Sequence, residues 1–138
     1  MADLMYSAVK ALIEKDGKYL FVGAELGEET IWIPPGGRLE YGESPLEALK
    51  REVNGEVSLD VEPGDPVGMY HFFHGPDDEG EQVTLTLFEV EDFSGEVDMD
   101  TEHAEEDGLE DYRWMTPEEI MEANITETLR DLLEGRIF

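Results

Sequence analysis

Two glutamates separated by one helical turn are the residues of this chain best suited to chemistry. Glu52 and Glu56 lie four positions apart, so a helix would place both carboxylates on one face. Like charges at this spacing repel each other by roughly 0.3 kcal/mol. A divalent cation would turn that repulsion into binding, because hard cations such as Mg²⁺ prefer oxygen ligands and keep waters that leave room for substrate phosphates. The alternative is a solvated helix surface, which is where most glutamate pairs lie.

The sequence also supplies the helix that would position this pair. Ser44 suits the N-cap, Pro45 suits the first helical position, and Glu47 stands at the capping-box spacing. These signals predict a helix from residue 45 to about residue 54 or 56. The preceding Pro34-Pro35-Gly36-Gly37 predicts a turn or loop.

The segment around this helix resembles the Nudix box, G-x5-E-x7-R-E-U-x-E-E-x-G-U, where U is a bulky aliphatic residue. The matching positions are Gly37, Glu43, Arg51, Glu52, Val53, Glu56 and Leu59. The approach Trp32–Gly37 and the late junction Trp114–Glu119 are also similar to the family pattern. By these motifs the chain is identified as a member of the Nudix hydrolase family.

The resemblance implies a metal-dependent hydrolase that uses Mg²⁺ or Mn²⁺ to cleave a phosphoanhydride bond in a nucleoside diphosphate derivative. Glu52 and Glu56 would bind the metal, helped by a backbone carbonyl near Gly36 or Gly37. Arg51 would pair with Glu43 and hold the loop against the helix. The residues predicted for catalysis are therefore Glu52, Glu56, Arg51 and Glu43, and those predicted for metal binding are Glu52, Glu56 and Gly37.

Two positions depart from the family pattern. Gly55 stands where the family has a glutamate that is commonly a metal ligand, and it weakens the last helical turn by up to about 1 kcal/mol. Ser58 stands where the family has glycine, so a left-handed backbone there would be costly. Gly55 motivates an alternative function: a Nudix-fold module that binds nucleotides with weak or no hydrolysis.

An acidic segment, residues 98–111, predicts a loop and offers further polar groups. The resemblance implies that the general base is either a glutamate of the box or a residue of a distant loop. In this segment the candidates for the base, or for a ligand that replaces the missing one, are Glu102, His103, Glu105, Glu106 and Asp107. The sequence does not choose among them, and His103 itself is expected to be solvated. Glu40, in the glycine loop, is balanced between a metal contact and a surface role.

Other conspicuous side chains favour ordinary structural roles. His71 and His74 would point to opposite faces of a strand, which argues against a shared metal ion. Trp32 and Trp114 are expected in the core rather than stacked on a base. Tyr41 is a slightly better candidate for contact with a ligand.

The remaining pattern predicts a mixed sheet with few helices. Strands are expected over 6–14, 18–24, 31–33, 66–73, 82–90 and 112–115, with an Asp16-Gly17 hairpin, a polar turn over 75–78, and helices opening at Thr116 and spanning 126–134. This order is not the steady alternation of a doubly wound fold. We therefore expect an α/β (α+β) fold, a Nudix-like α/β/α sandwich, formed by one domain over residues 1–138.

Composition limits the partners of the chain. The 138 residues carry 36 acidic and 9 basic side chains, a formal net charge of −27. This balance argues against duplex nucleic acid and anionic membranes, and it predicts adaptation to high salt, where self-repulsion is screened. The absence of cysteine excludes disulfides and thiolate metal sites. We expect a cytoplasmic protein acting on a small nucleotide, with a homodimer left open by the family resemblance.

Overall fold

A computed structural model describes residues 4–74 and 80–138, excluding the side chains of Leu26 and His74. The strands are β1 Leu4–Lys15, β2 Lys18–Leu26, β3 Glu29–Ile33, β4 Gly36–Arg38, β5 Asp60–Glu62, β6 Pro66–His74, β7 Glu81–Val90, β8 Asp92–Ser94 and β9 Leu109–Met115. The helices are α1 Pro45–Val57, α2 Glu102–Glu106, α3 Pro117–Glu122 and α4 Glu127–Leu133. The predicted turn over 75–78 lies outside the described residues. No helix in the described part of the chain is long and apolar enough to cross a membrane.

Strand β1 lies at the centre of a mixed sheet with the path β3-β2-β1-β7-β6. Strands β1 and β7 pair in parallel over ten residue pairs. The pairs β1–β2, β1–β4, β2–β3 and β6–β7 are antiparallel. Strand β9 pairs with β2, and β5 and β8 form a separate two-stranded sheet. The mixed sheet confirms the predicted α+β fold.

The helices cover both faces of this sheet. Alternate residues of β1 point to opposite sides, so Val9, Ala11 and Ile13 join one core cluster while Ala8 and Leu12 join the other. The first cluster includes the apolar face of α1 and the buried side chain of α2. The second includes the buried side chains of α3 and α4. The result is the α/β/α sandwich predicted from the resemblance.

Local chemistry explains where the elements turn and end. Asp16 and Gly17 have φ of 53° and 78°, as a type I′ hairpin requires. Ser44 caps α1 by accepting from the Glu47 N–H at 3.2 Å. The reciprocal half of the predicted capping box is not among the hydrogen bonds of the described residues. Ser58 ends α1 with φ 64° and ψ 25°, the left-handed cap that the family's glycine would adopt without strain.

Two sequence expectations were wrong. Gly36 and Gly37 do not lie in a loop: they form β4 against β1, where a Cβ on Gly36 would lie 2.1 Å from the Val9 carbonyl oxygen. Only glycine permits this approach, so the residues that signalled a turn serve strand pairing. The acidic segment over 98–111 is not a loop throughout either, since it contains α2 and the beginning of β9.

Candidate metal and nucleotide site

The buried face of α1 carries two carboxylates among its apolar residues. The exposed fraction is 8% for Glu52 and 3% for Glu56. These two glutamates lie beside Val53 and Val57, which are core residues. Burying carboxylates is costly unless they are hydrogen bonded, paired or bound to a cation. These two glutamates are therefore not a solvated pair on the helix surface.

Strand β4 and Lys10 surround Glu56. The Glu56 Oε1 accepts from the Gly36 N–H at 2.9 Å, and the Lys10 ammonium donates to the Gly36 carbonyl oxygen at 3.1 Å. Burial raises the pKa of Glu56 to about 8, with Asp107 adding to the rise, while Lys10 and the Gly36 N–H oppose it. A carboxyl group held in this way accepts a cation only by releasing its proton.

Arg51 connects the loop before α1 with the carboxylate of Glu52. Its Nε and Nη2 donate to the two carboxylate oxygens of Glu43 at 2.7 and 2.9 Å, and its Nη1 donates to Glu52 Oε1 at 2.8 Å. The paired hydrogen bonds from Arg51 are the main reason that the pKa of Glu43 falls to about 2. Arg51 and Glu43 thus make the contact expected of them. Through its hydrogen bond with Glu52, Arg51 also orients the Glu52 carboxylate.

His103 is not solvated, contrary to expectation. Its side chain is 30% exposed, and its Nε2 lies 2.8 Å from Glu52 Oε2 and 3.2 Å from Asp107 Oδ2. The ring lies against Gly55, where an added Cβ would be 2.2 Å from Nδ1. The imidazole thus occupies the space next to the helix position that lacks the expected glutamate.

Four side chains converge to form a donor set that fits a divalent cation. Glu52, Glu56, His103 and Asp107 each offer a ligand atom, and these atoms all lie within 4.8 Å of one another. Carboxylate oxygens suit Mg²⁺ and Mn²⁺, and imidazole suits transition metals. Gly37 lies against this set, since a Cβ there would be 2.5 Å from Glu52 Oε2. The predicted contribution of a Gly37 carbonyl to the metal stays a prediction.

The donor set opens into a cleft of about 580 Å³. The cleft is lined by Lys10, Ile33, Gly36, Gly37, Arg38, Glu52, Glu56, Glu106, Asp107 and Leu109. Lys10 and Arg38 lie among four carboxylates of this lining, and Arg38 also forms an ion pair with Glu81, so an anionic ligand would need a bound cation to enter the cleft. Of the five candidates in the acidic segment, Glu106 and Asp107 line the cleft, His103 joins the donor set, and Glu102 and Glu105 are exposed.

The other sequence candidates lie away from the donor set. Glu40 is exposed, with its carboxylate 3.8 Å from Arg51, and Tyr41 is fully exposed. Trp32 is a core residue, as expected. Trp114 is half-buried and stacks on Phe93 with ring centroids 6.1 Å apart.

His71 lies on the surface of β6, where its ring meets the edge of the Phe73 ring. The His74 side chain is outside the described residues, so the prediction that this pair does not chelate a metal stays a prediction.

From the missing carboxylate at Gly55, the sequence named His103 and Asp107 among five candidates for a replacement ligand, but it did not select these two or predict their contact with the α1 glutamates. His103 and Asp107 also lie four residues apart, the spacing of one helical face. That spacing had no meaning while the segment was interpreted as a loop.

The fold and the paired carboxylates define the Nudix class of α+β hydrolases, and comparison with known proteins agrees. Residues 6–135 match the NUDIX domain model. The chain is 30% identical to a CTP pyrophosphohydrolase of Escherichia coli K12 over 95% of its length and 90% of the relative's. It is 26% identical to phosphatase NudJ of the same strain, covering 93% of this chain and 83% of that one. The chain therefore belongs to the Nudix family of pyrophosphohydrolases.

A solved structure shows the same architecture. The MutT protein of Methanosarcina mazei Go1 superposes with a TM-score of 0.79 at 24% identity, covering 98% of this chain and 94% of that chain. This likeness supports the fold alone.

Proposed function

We propose that this protein is a divalent-metal-dependent pyrophosphohydrolase that cleaves a phosphoanhydride bond in nucleoside diphosphate derivatives. The observation that carries the proposal is the buried pair Glu52 and Glu56 at the base of a cleft that also contains Lys10 and Arg38. The buried carboxylates would bind the cation, and the bound cation together with Lys10 would attract the phosphates.

The cation supplied by solution is Mg²⁺ or Mn²⁺, which when bound polarises the diphosphate and acidifies the attacking water. Glu52 and Glu56 would hold it, and the Gly37 carbonyl would be a further ligand. Arg51 and Glu43 keep Glu52 in position through the hydrogen bonds described above. Lys10 lies in the cleft and would contact a phosphate oxygen, whereas Arg38 is engaged by Glu81.

The base that accepts the water proton is one of the two acidic-segment carboxylates lining the cleft, Glu106 or Asp107. Asp107 is already engaged, since its carboxylate lies 3.2 Å from His103. Glu106 is therefore our first choice. Replacing Glu106 by Gln should lower kcat by roughly 100-fold or more with little change in metal affinity, because general bases contribute about that much.

Nucleoside triphosphates are the first substrates to test. Support comes from the relative named CTP pyrophosphohydrolase, which matches nearly the full chain. ADP-ribose, nucleotide sugars and dinucleoside polyphosphates follow as alternatives within the same reaction class. We propose that residues 1–138 act as a single domain, in a cytoplasm of high salt, without duplex nucleic acid or membrane as partner.

The test is a product assay with Mg²⁺ or Mn²⁺ in molar KCl over these substrates. Glu52→Gln and Glu56→Gln should each abolish metal-dependent cleavage. Glu47→Gln is the matched control, since Glu47 lies on the same helix with an exposed side chain. Cleavage that persists in both buried variants would refute the proposed site.

The second candidate function is a nucleotide-binding module, favoured by the missing carboxylate at Gly55. It predicts nucleotide binding without turnover by a protein that is folded in the assay buffer. Absence of cleavage with every substrate, accompanied by measurable binding of CTP, would select this function.

A further inference from the structure

Gly55 and His103 form a complementary pair at the metal site. The helix position without a side chain faces an imidazole ring, and a Cβ on residue 55 would lie 2.2 Å from Nδ1 and 2.8 Å from Cγ and Cε1. These are distances that no real Cβ tolerates, so any other residue at position 55 would move the ring. The absence of a carboxylate at position 55 and the presence of the ring are therefore one structural feature.

The opposite edge of the same ring points into the donor set. Nε2 lies 2.8 Å from Glu52 Oε2 and 3.2 Å from Asp107 Oδ2. One ligand atom from each of Glu52, Glu56, His103 and Asp107 lies within 4.8 Å of the other three. An imidazole nitrogen so placed can bind a metal ion through Nε2.

The short helix α2 is tied to α1 at this point. Thr101, its N-cap, donates its hydroxyl to the Gly55 carbonyl oxygen at 2.8 Å and accepts from the Ala104 N–H at 2.9 Å. Ala104, next to His103, is fully buried against the core. The backbone that carries His103 is thus held on the helix that carries the two glutamates.

We propose that His103 binds the catalytic cation through Nε2 in place of the carboxylate missing at Gly55, which makes this a mixed nitrogen and oxygen site that selects Mn²⁺ over Mg²⁺. The inference rests on the proposed function, because the cation is the one held by Glu52 and Glu56. Imidazole raises the affinity for transition metals, whereas Mg²⁺ demands oxygen ligands. Asp107 completes the set as the fourth donor.

The experiment uses Mn²⁺ alone, without substrate. Electron spin-echo spectroscopy of the Mn²⁺-loaded protein should show modulation from a bound imidazole ¹⁴N, and this should disappear in His103→Ala. Calorimetry should show that His103→Ala weakens Mn²⁺ binding by about tenfold or more and Mg²⁺ binding by less. His71→Ala is the matched control, because His71 lies on the surface of β6, and it should change neither result.

Two further variants separate ligation from folding. Gly55→Ala removes no ligand but displaces the ring, so it should also abolish the ¹⁴N signal and weaken Mn²⁺ binding. His103→Asp restores an all-oxygen set, so it should bind Mn²⁺ without ¹⁴N modulation and should narrow the preference for Mn²⁺ over Mg²⁺. Unfolding curves for each variant show that the binding is measured on folded protein.

The outcomes are distinct. Mn²⁺ binding that requires Glu52 and Glu56 but shows no ¹⁴N modulation in the unmodified protein overturns the role of His103 and leaves the proposed hydrolase intact. A ratio of Mn²⁺ to Mg²⁺ affinity that is unchanged in His103→Ala overturns the claimed selectivity. Mn²⁺ binding that survives both Glu52→Gln and Glu56→Gln overturns the site itself, and the proposed function with it.

Discussion

Arg51 contacts a loop glutamate and a helix glutamate at the same time, and this double contact has a measurable signature in Glu43. Its pKa of about 2 results first from the side-chain hydrogen bonds with Arg51. Because this pKa is lowered in the folded protein, the associated stabilisation is present above the unfolded-state value. It is lost as the pH falls towards about 2.

Replacing Arg51 by Met should return the pKa of Glu43 towards its ordinary value of about 4.3 and lower kcat by roughly 10- to 100-fold. Carboxyl ¹³C NMR across the acidic range measures the first effect, and the product assay measures the second. Lys50→Met is the control, since Lys50 is an exposed neighbour on α1. If the pKa of Glu43 in Arg51→Met equals its value in the unmodified protein, Arg51 does not hold this loop glutamate.

The raised pKa of Glu56 predicts that the metal affinity of the site depends on pH. Burial raises its pKa to about 8, with Asp107 adding to the rise and Lys10 opposing it, and Glu52 and His103 also lie close to it. Below that pH a cation must displace the Glu56 proton, so Mn²⁺ affinity should rise by up to about tenfold per pH unit until about pH 8.

Calorimetry in buffers of different ionisation enthalpy measures the released proton directly. In Glu56→Gln the residual binding should lose this part of the pH dependence. Equal Mn²⁺ affinity at roughly pH 6 and pH 8 would contradict the prediction.

At the scale of elements, the left-handed end of α1 is a strained feature that glycine would relieve. Ser58 and alanine both pay about 1 kcal/mol for this backbone, whereas glycine does not. Both substitutions lose the hydrogen bond from the Ser58 hydroxyl to the Asp98 carbonyl. We therefore expect Ser58→Gly to exceed Ser58→Ala by about 1 kcal/mol in unfolding free energy, measured by urea denaturation. Equal stability would show that the cap relaxes in solution.

The N-cap of α2 should matter for the metal site, whereas the N-cap of α3 should matter for stability alone. Thr101→Val removes the cap and the tie to Gly55, so we expect about 1 kcal/mol of destabilisation and weaker Mn²⁺ binding. Thr116→Val removes the capping box of α3 at comparable cost, with Mn²⁺ binding unchanged. Equal Mn²⁺ affinity in the two variants would contradict the role of α2.

These elements also show how far sequence reasoning reaches. The ends of α1, the Asp16-Gly17 hairpin and the α3 cap depend on neighbours within a few residues, and their signals were sufficient. Helix α2 has one buried side chain, Ala104, so its sequence lacks the repeated apolar positions that would predict a helix. Strand β4 uses glycines for close approach to β1, and that contact depends on the tertiary fold. Hence the α1 residues of the site were predicted, whereas His103 on α2 and Asp107 at its end were only two of five candidates that the sequence could not separate.

For the whole molecule, the net charge of −27 predicts a strong response to salt. Self-repulsion is screened as the Debye length falls to about 3 Å in molar salt, so the melting temperature should rise steeply with KCl. A variant with Glu122→Lys and Asp131→Lys, both exposed and remote from the donor set, should reach the same stability at lower salt. A melting temperature independent of KCl would refute the proposed salt adaptation.

The parallel pairing of β1 with β7 has a consequence for folding during synthesis on the ribosome. Leu4 pairs with Glu81, roughly 77 residues later in the chain. At about 5 to 20 residues per second, a ribosome would need on the order of 4 to 15 s to make that partner. Throughout this interval the nascent strand that becomes the middle of the sheet has one hydrogen-bonding edge unfilled. We expect the carboxylate-rich surface to keep this unpaired edge apart from other chains until β7 has been made.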